Sequence, residues 1–258
     1  MSKVAVVTGA ASGIGFATAK EFLARGYDVA ITDANAQRLQ KASETLASAS
    51  ADAKVLAFAC DVTKMESVLS LRDEVLRVFG RIDALVNCAG VFRGGQLHQA
   101  SEDDYAIQFA VNVQGTFHTM KAFIPEMLRA GSGAVVNISS ASGTRGDYNC
   151  PLYCASKAAV ANLSRAAALD YAGQGVRVNC VAPSATRTPM FLDGSTQSVI
   201  DAFVNAIPDH KLGEPEFVAK AICFLASSES EHIVGHVLPV DGGLTEWNGQ
   251  PRQDKELD

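Results

Sequence analysis

The sequence predicts an α/β fold in which helices cover both faces of a single doubly wound parallel sheet. Short apolar runs alternate with longer segments whose apolar residues recur at helical spacing, and the connections between them are short. The 258 residues include 21 glycines and are only 7% aromatic, a composition that lets helices pack closely on a buried sheet. Strand–helix alternation of this kind is typical of parallel sheets with crossover helices.

The predicted elements follow one another in a regular order. Each predicted strand is a short aliphatic run, and each predicted helix is a longer amphipathic segment. The strands are residues 3–7, 28–32, 55–59, 83–86, 134–138, 176–181 and 237–239. The helices are residues 13–25, 35–46, 64–78, 101–129, 152–172 and 214–226. The helices that start at Asn35, Ser101 and Glu214 follow plausible capping or turn residues.

Charge and composition exclude several classes of protein. A net charge of −6 and a pI near 5.4 argue against nucleic acid or an anionic membrane as the main partner. No run approaches the roughly 18–20 apolar residues that span a bilayer. The N-terminal MSKV has no signal-peptide pattern, and the cysteines lack a CxxC pair or zinc-ligand spacing. We therefore expect a cytoplasmic protein with no structural metal.

No linker or shift of composition divides the sequence, so we expect one domain over residues 1–246. Residues 184–212 form a long stretch with little strand character, and loops of this length are commonly lids over a functional site. Residues 247–258 are polar and charged. We expect this tail to be mobile unless a neighbouring subunit holds it.

A glycine-rich turn connects the first predicted strand to the first predicted helix. Gly9, Gly13 and Gly15 allow a tight turn, a close approach of the backbone to a pyrophosphate, and close packing of helix on sheet. Ser12 and Ile14 lie where the helix presents its amide groups and the positive end of its dipole. The alternative is a merely flexible turn, but the position between strand and helix favours a Rossmann-type dinucleotide site.

Asp33 follows the second predicted strand, where a carboxylate accepts hydrogen bonds from the adenosine ribose diol. Its charge repels a 2′-phosphate. Ala34 and Ser12 occupy positions where a cation would hold that phosphate, so the pattern favours NAD(H) over NADP(H). The alternative is that Asp33 is only a turn or capping residue.

Further short motifs follow the predicted strands in a fixed order. They are TGAASGIG at 8–15, Asp61-Val62, NCAG at 87–90, Asn112, Ser139-Ser140, YCASK at 153–157, residues 183–188, and VDGG at 240–243. In order and spacing they resemble the compact, single-domain members of the short-chain dehydrogenase/reductase family over nearly the whole chain. Cys88 departs from the second Asn usual in that family, and Ser184 from the Gly that usually follows Pro.

The resemblance implies that residues 1–246 are an NAD-binding catalytic domain. The implied catalytic residues are Asn112, Ser140, Tyr153 and Lys157. The cofactor-binding residues, from the turn and the resemblance together, are Gly9, Ser12, Gly13, Ile14, Gly15, Asp33, Asp61, Val62, Asn87, Ala89, Gly90, Tyr153, Lys157, Pro183 and Thr188, with Thr186 as a rival to Thr188. The resemblance also implies that Lys157 holds the nicotinamide ribose and Asn112 a water relay to Lys157.

The spacing of Tyr153 and Lys157 suits acid–base chemistry, because residues i and i+4 share a helix face. A free tyrosine is a poor base near neutral pH, and an adjacent ammonium lowers the pKa of the phenol. Tyr153 is then expected to exchange a proton with an alcohol or ketone oxygen, and Ser140 to orient that oxygen. Ser139 competes for this role, but Ser140 has the family's spacing to Tyr153.

Two segments are candidates for substrate recognition. Met190 and Phe191 in the lid can exclude water, or can simply pack the lid on the body. Ser142 and loop 143–151, with Arg145, Asp147, Tyr148 and Asn149, are placed to recognise a second hydroxyl or carbonyl group. Within the family, this loop and the tail are similar to NAD-dependent dehydrogenases of 2,3-butanediol and acetoin, which implies a vicinal diol or hydroxyketone substrate.

Two other functions stay open. One is reduction of a 3-oxoacyl thioester, which in the family usually goes with NADPH and basic residues near the ribose. The other is a catalytically idle dinucleotide-binding protein. The resemblance also implies a homotetramer, and the Ala-rich face of the 152–172 helix suits close contact between helices or packing on its own sheet.

Overall fold

The computed structural model describes residues 2–49 and 53–250. Its centre is a parallel sheet with strand order β3-β2-β1-β4-β5-β6-β7. The strands are β1 (Val4–Thr8), β2 (Asp28–Asp33), β3 (Val55–Ala59), β4 (Ala84–Asn87), β5 (Gly133–Ile138), β6 (Val176–Pro183) and β7 (Val237–Val240). The predicted fold class is confirmed, and the predicted strand ends are right to within two residues.

Helices lie on both faces of this sheet. They are α1 (Gly13–Ala24), α2 (Ala36–Ala49), α3 (Met65–Phe79), α4 (Glu102–Gln108), α5 (Gly115–Ala130), α6 (Ala141–Thr144), α7 (Pro151–Tyr171), α8 (Pro189–Leu192), α9 (Gln197–Ala206) and α10 (Pro215–Ala226), with short 3₁₀ turns at Leu97–Gln99, Ala172–Gln174 and Ser228–Ser230. Their apolar sides supply the two halves of the core.

The core divides between the two faces because successive strand residues point in opposite directions. Ala5 and Val7 of β1 face a cluster that includes residues of α1, α2 and α10. Val4 and Val6 face a second cluster, with residues of α3, α5 and α7. Strands buried on both sides need continuous apolar runs, which explains why β1 reads VAVVT without alternation.

The predicted continuous helix over 101–129 is wrong at its middle. Residues Phe109–Gln114 form a π-helical segment between α4 and α5. A capping box between Ser101 and Asp104 starts α4, one residue after the predicted start of the helix. Single π-turns in helices commonly occur at functional sites, and this one contains Asn112.

The lid segment contains helical structure that the sequence analysis did not assign. It contains α8 and α9, and Thr186 forms an isolated bridge with Gly213 at its base. Of the predicted tail, residues 251–258 lie outside the described part of the chain. Within it, Trp247 is 55% exposed and donates its indole hydrogen to the Gln250 carbonyl oxygen.

The strand order places a crevice at one end of the sheet. The chain runs outward from β1 to β2 and β3, then returns to β4 on the other side of β1. At such a switch point the loops after the two strands separate, and ligands bind outside the carboxyl ends of the strands. No helix in the described ranges is both long and apolar enough to cross a membrane.

Candidate active site

The turn after β1 is shaped for close approach of the backbone. Gly9 has φ +63°, and a Cβ there would lie 2.8 Å from the Ala89 backbone. A Cβ on Gly15 would overlap the Gly9 carbonyl oxygen. At Gly13, with φ +55°, a Cβ would come within 3.0 Å of the Thr188 side chain. Glycine is therefore required here by contacts within the turn and with the loops beside it.

A cleft of about 660 Å³ opens at this turn. Its lining includes most of the residues predicted to bind a cofactor, namely Gly9, Ser12, Gly13, Ile14, Gly15, Asp33, Asp61, Val62, Ala89, Gly90 and Thr188. The first turn of α1, with its amide groups, lies at the cleft wall. An elongated dinucleotide with its pyrophosphate at a helix N-terminus fits these residues.

Five predicted residues, counting the rival Thr186, lie apart from this lining, namely Asn87, Tyr153, Lys157, Pro183 and Thr186. Asn87 is buried, donates to the Asn137 side chain and accepts from Thr119. Pro183 is buried at the end of β6. The rival Thr186 is also buried and donates to the Ser184 carbonyl oxygen, so the structure favours Thr188 over Thr186 at the cleft.

The position of Asp33 fits the ribose role, and the same cleft also holds a cation that the sequence argument did not consider. Asp33 lines the cleft, and one of its carboxylate oxygens accepts a hydrogen bond from the Asn35 amide at 2.9 Å. Arg38, in the first turn of α2, is exposed and lines the same cleft. The sequence argument missed Arg38 because it tested only the positions next to Asp33 and Gly13.

Ser140 and Tyr153 meet beyond the end of β5. Ser140 precedes α6, and its hydroxyl oxygen accepts the Ser142 amide at 3.2 Å. Ser140 also forms a side-chain hydrogen bond with Tyr153, which lies in the first turn of α7. Ser139 has a different hydrogen-bond partner, since its hydroxyl donates to the Lys157 carbonyl oxygen at 2.8 Å.

Lys157 lies one helical turn after Tyr153 and is buried. Its ammonium donates to the Ile138 carbonyl oxygen at 2.9 Å and lies 5.8 Å from the centre of the Tyr153 ring. A Cβ on Gly90 would be 3.5 Å from the Lys157 nitrogen. Because Gly90 lines the cleft, Lys157 lies close to the cleft wall.

The expected lowering of the Tyr153 pKa by Lys157 does not describe this structure. Burial raises the pKa of Tyr153 to about 12, and the hydrogen bond with Ser140 acts in the opposite direction. Burial also lowers the pKa of Lys157 to about 8. Both shifts favour neutral side chains in this pocket, since desolvation penalises each charged form.

Asn112 is committed to structural hydrogen bonds. Its side-chain oxygen accepts the Val91 amide at 2.8 Å, and its nitrogen donates to the Val91 oxygen and to the Ser156 hydroxyl, each at 3.0 Å. Ser156 in turn donates to the Tyr153 carbonyl oxygen. The Asn112 side chain therefore joins the π-helical segment to the loop after β4 and to α7.

The predicted substrate residues separate into two groups. Met190 lines the cleft, and Ser142 lies two residues from Ser140. Tyr148 is 96% exposed, and Phe191 packs edge-on against Phe203 within the lid. Phe191 therefore packs against a residue of the lid itself.

Phe92 is a residue that the sequence argument missed. Its ring packs edge-on against Tyr153, with centroids 5.0 Å apart, and it also lines the cleft. An aromatic residue two positions after the NCAG motif was the available signal. Phe92 therefore links the cleft to the Ser140–Tyr153 pair.

Within the described ranges, no group of three or more His, Cys, Asp or Glu side chains could hold a metal ion.

Comparison with known proteins adds independent information. A family model described as Enoyl-(Acyl carrier protein) reductase matches residues 9–245. The chain is 39% identical to meso-2,3-butanediol dehydrogenase of Serratia marcescens over 251 residues, covering 97% of this chain and 98% of that one. It is 37% identical to the 3-oxoacyl-[acyl-carrier-protein] reductase FabG of Thermotoga maritima, covering 94% and 97%.

A solved structure agrees with this result. The chain matches the structure titled "ElxO with NADP Bound" with a TM-score of 0.90 and 34% sequence identity. The match covers 96% of this chain and 100% of that one. The similarity therefore extends over the whole sheet and both helical layers.

Proposed function

This chain belongs to the short-chain dehydrogenase/reductase family of oxidoreductases, and from that premise we propose that it interconverts a small vicinal diol and a hydroxyketone with NAD(H). The observation that carries this proposal is the convergence of Ser140, Tyr153 and Lys157 beside the cleft, whose lining residue Phe92 packs against Tyr153. The relative named for meso-2,3-butanediol supports the substrate class.

Tyr153 moves the proton in the proposed reaction. In ketone reduction the Tyr153 hydroxyl donates its proton to the substrate oxygen, and in alcohol oxidation the phenolate takes that proton back. Ser140 hydrogen-bonds the same oxygen and fixes its distance from Tyr153. The nicotinamide supplies or accepts the hydride when bound. The proposed role of Lys157 is to hold the nicotinamide ribose.

The preference for NAD(H) rests on Asp33. Its carboxylate lines the cleft at the end of β2, where it accepts hydrogen bonds from a ribose diol and repels a 2′-phosphate. Asn87 and Pro183 are proposed to act by holding the cleft walls, because both are buried behind them. Gly9, Ser12, Gly13, Ile14 and Gly15 hold the pyrophosphate in this proposal.

A second candidate function is NADPH-dependent reduction of a 3-oxoacyl thioester. Arg38 favours it, because an exposed guanidinium in the same cleft is a suitable partner for a 2′-phosphate. The relative named as a 3-oxoacyl-[acyl-carrier-protein] reductase and the neighbour with bound NADP support it too. Asp33, which lies at the end of β2, opposes it.

Initial rates distinguish the two candidates. Purified protein is assayed with acetoin and with a 3-oxoacyl thioester, each with NADH and with NADPH. The proposal expects the highest kcat/KM for acetoin with NADH. A higher kcat/KM for the thioester with NADPH replaces it with the second candidate.

We also propose a homotetramer in the cytoplasm, with residues 1–246 as the catalytic domain and 184–212 as its lid. Tyr105, Phe117 and Leu169, on the helices α4, α5 and α7, are 47%, 45% and 81% exposed. These helices lie on one face of the sheet, and a second copy of the chain is the proposed cover for them. All six cysteines are free thiols, which suits a reducing compartment. Light scattering that gives a monomer mass contradicts the tetramer.

A further inference from the structure

Ser142 and Asp147 form a polar pair next to Ser140, one of the proposed catalytic residues. The Ser142 hydroxyl donates to one Asp147 carboxylate oxygen at 2.7 Å, and the other oxygen accepts the Tyr148 amide at 2.8 Å. Ser142 is half-buried and Asp147 is exposed. The pair is therefore held in place by hydrogen bonds and still open to a ligand.

The pair is linked directly to the reacting centre. The Ser142 amide donates to the hydroxyl oxygen of Ser140, which in turn pairs with Tyr153. The negative charge of Asp147 is close enough to contribute to raising the pKa of Tyr153. The Ser142–Asp147 pair is thus connected through one hydrogen bond to the Ser140 hydroxyl, to which the proposed reaction assigns the substrate oxygen.

The loop that carries Asp147 is joined to the loop that follows β4. The Gly95 amide donates to the Asn149 carbonyl oxygen at 2.7 Å, which ties the loop after β4 to the loop that carries Asp147. Phe92, from that first loop, packs against Tyr153. The loop that carries Asp147 is thus joined to the loop that carries Phe92.

The Ser142–Asp147 pair can accept further hydrogen bonds but has none left to donate. A serine hydroxyl has a single donor hydrogen, and Ser142 gives it to Asp147. An ionised carboxylate has no donor at all. What the pair offers to a ligand is acceptors only, namely the remaining lone pairs of the Ser142 oxygen and of the Asp147 carboxylate.

From this we infer that Asp147, with Ser142, selects substrates whose substituent next to the reacting carbon is a hydroxyl rather than a carbonyl. A hydroxyl donates to the pair, whereas a carbonyl oxygen meets only acceptors and leaves them unpaired. The protein therefore interconverts a hydroxyketone and a diol efficiently. It catalyses the other reaction, between a diketone and a hydroxyketone, poorly. This inference rests on the proposed function, which it narrows to one of two successive reductions.

Asp147→Asn tests the inference, because it replaces a carboxylate oxygen by a donor of the same size. Initial rates of NADH oxidation are measured with acetoin and with diacetyl, which share the reacting group and the cofactor. We expect kcat/KM for acetoin to fall about tenfold while that for diacetyl holds or rises. The change in the acetoin-to-diacetyl ratio is the readout, since a diketone is intrinsically the more reactive carbonyl compound.

Two further variants provide a second test and a matched control. Ser142→Ala removes the hydroxyl acceptor and is expected to lower the same ratio. Asp73→Asn is the matched control, because Asp73 is an exposed carboxylate on α3 that accepts side-chain hydrogen bonds from Arg72. The ratio is expected to stay at its wild-type value in Asp73→Asn.

The failure of the inference is distinct from the failure of the proposed function. Wild-type turnover of both ketones with the same ratio in Asp147→Asn and Asp73→Asn overturns the selection by Asp147 and leaves the oxidoreductase assignment intact. Absence of wild-type turnover with acetoin, diacetyl and 2,3-butanediol overturns the proposed substrate class, and the inference falls with it.

Discussion

Lys157 donates a hydrogen bond from its ammonium to the main-chain oxygen of Ile138 at 2.9 Å. Ile138 ends β5, and Ser139 and Ser140 follow it directly. The bond therefore fixes the first turns of α7, which carry Tyr153, against the strand that delivers Ser140. Ser139 strengthens the same junction by donating to the Lys157 carbonyl oxygen. One junction between a strand end and a helix thus sets the geometry of all three proposed catalytic side chains.

Replacing Asn112 by Ala is expected to lower both stability and turnover. The change leaves the Val91 amide and carbonyl groups without their partner and removes the contact with Ser156. Unpaired buried polar groups cost about 1–3 kcal/mol each, so urea denaturation should show a loss of at least about 2 kcal/mol. Asn205→Ala on the exposed side of α9 is the control, with an expected change within about 0.5 kcal/mol. Equal unfolding midpoints for the two variants contradict the role given to Asn112.

Asp33 and Arg38 should act in opposite directions on cofactor choice. Asp33→Ala removes the charge that repels a 2′-phosphate, and we expect the NADPH-to-NADH ratio of kcat/KM to rise at least about tenfold, or 1.4 kcal/mol. Adding Arg38→Gln to that variant should lower the ratio again, because Arg38 is exposed in the same cleft. A wild-type protein that uses both cofactors equally would disprove the assignment of Asp33.

The stability of the free protein should depend on pH through Lys157. Burial lowers the pKa of Lys157 to about 8 from its usual value of 10.5. Between these two values the unfolded chain binds more protons than the folded one, so this group makes the free energy of unfolding rise with pH. Below pH 8 the burial penalty is fully present. We expect the free energy of unfolding of the wild type to rise relative to that of Lys157→Met between pH 8 and pH 10. Parallel curves of unfolding free energy against pH for the two proteins contradict this.

Much of the fold was accessible from sequence because its signals are local. The β1 run VAVVT and the glycines at 9, 13 and 15 each require one backbone arrangement, and both were identified. The π-helical turn at Asn112 was not, since nothing in the 101–129 pattern marks it. It depends on hydrogen bonds to Val91 and Ser156, which are distant in sequence.

The site was predicted less completely for the same reason. Ser140, Tyr153 and Lys157 were found by motif, but the pKa of Tyr153 depends on how deeply α7 is buried, and burial is a property of packing. Arg38 and Phe92 reach the cleft only after the chain folds around β1 and β4. Phe191 is the opposite case. Its residue type suits a contact with substrate, but its ring packs against Phe203 within the lid.

The turnover of Tyr153→Phe tests the central claim most directly. The change removes one hydroxyl and keeps the ring that packs against Phe92. We expect kcat for acetoin reduction with NADH to fall about 10²- to 10⁴-fold, because the proton donor is lost, while NADH binding followed by fluorescence stays unchanged. Full turnover by a Tyr153→Phe protein that binds NADH normally would show that Tyr153 is not the proton donor.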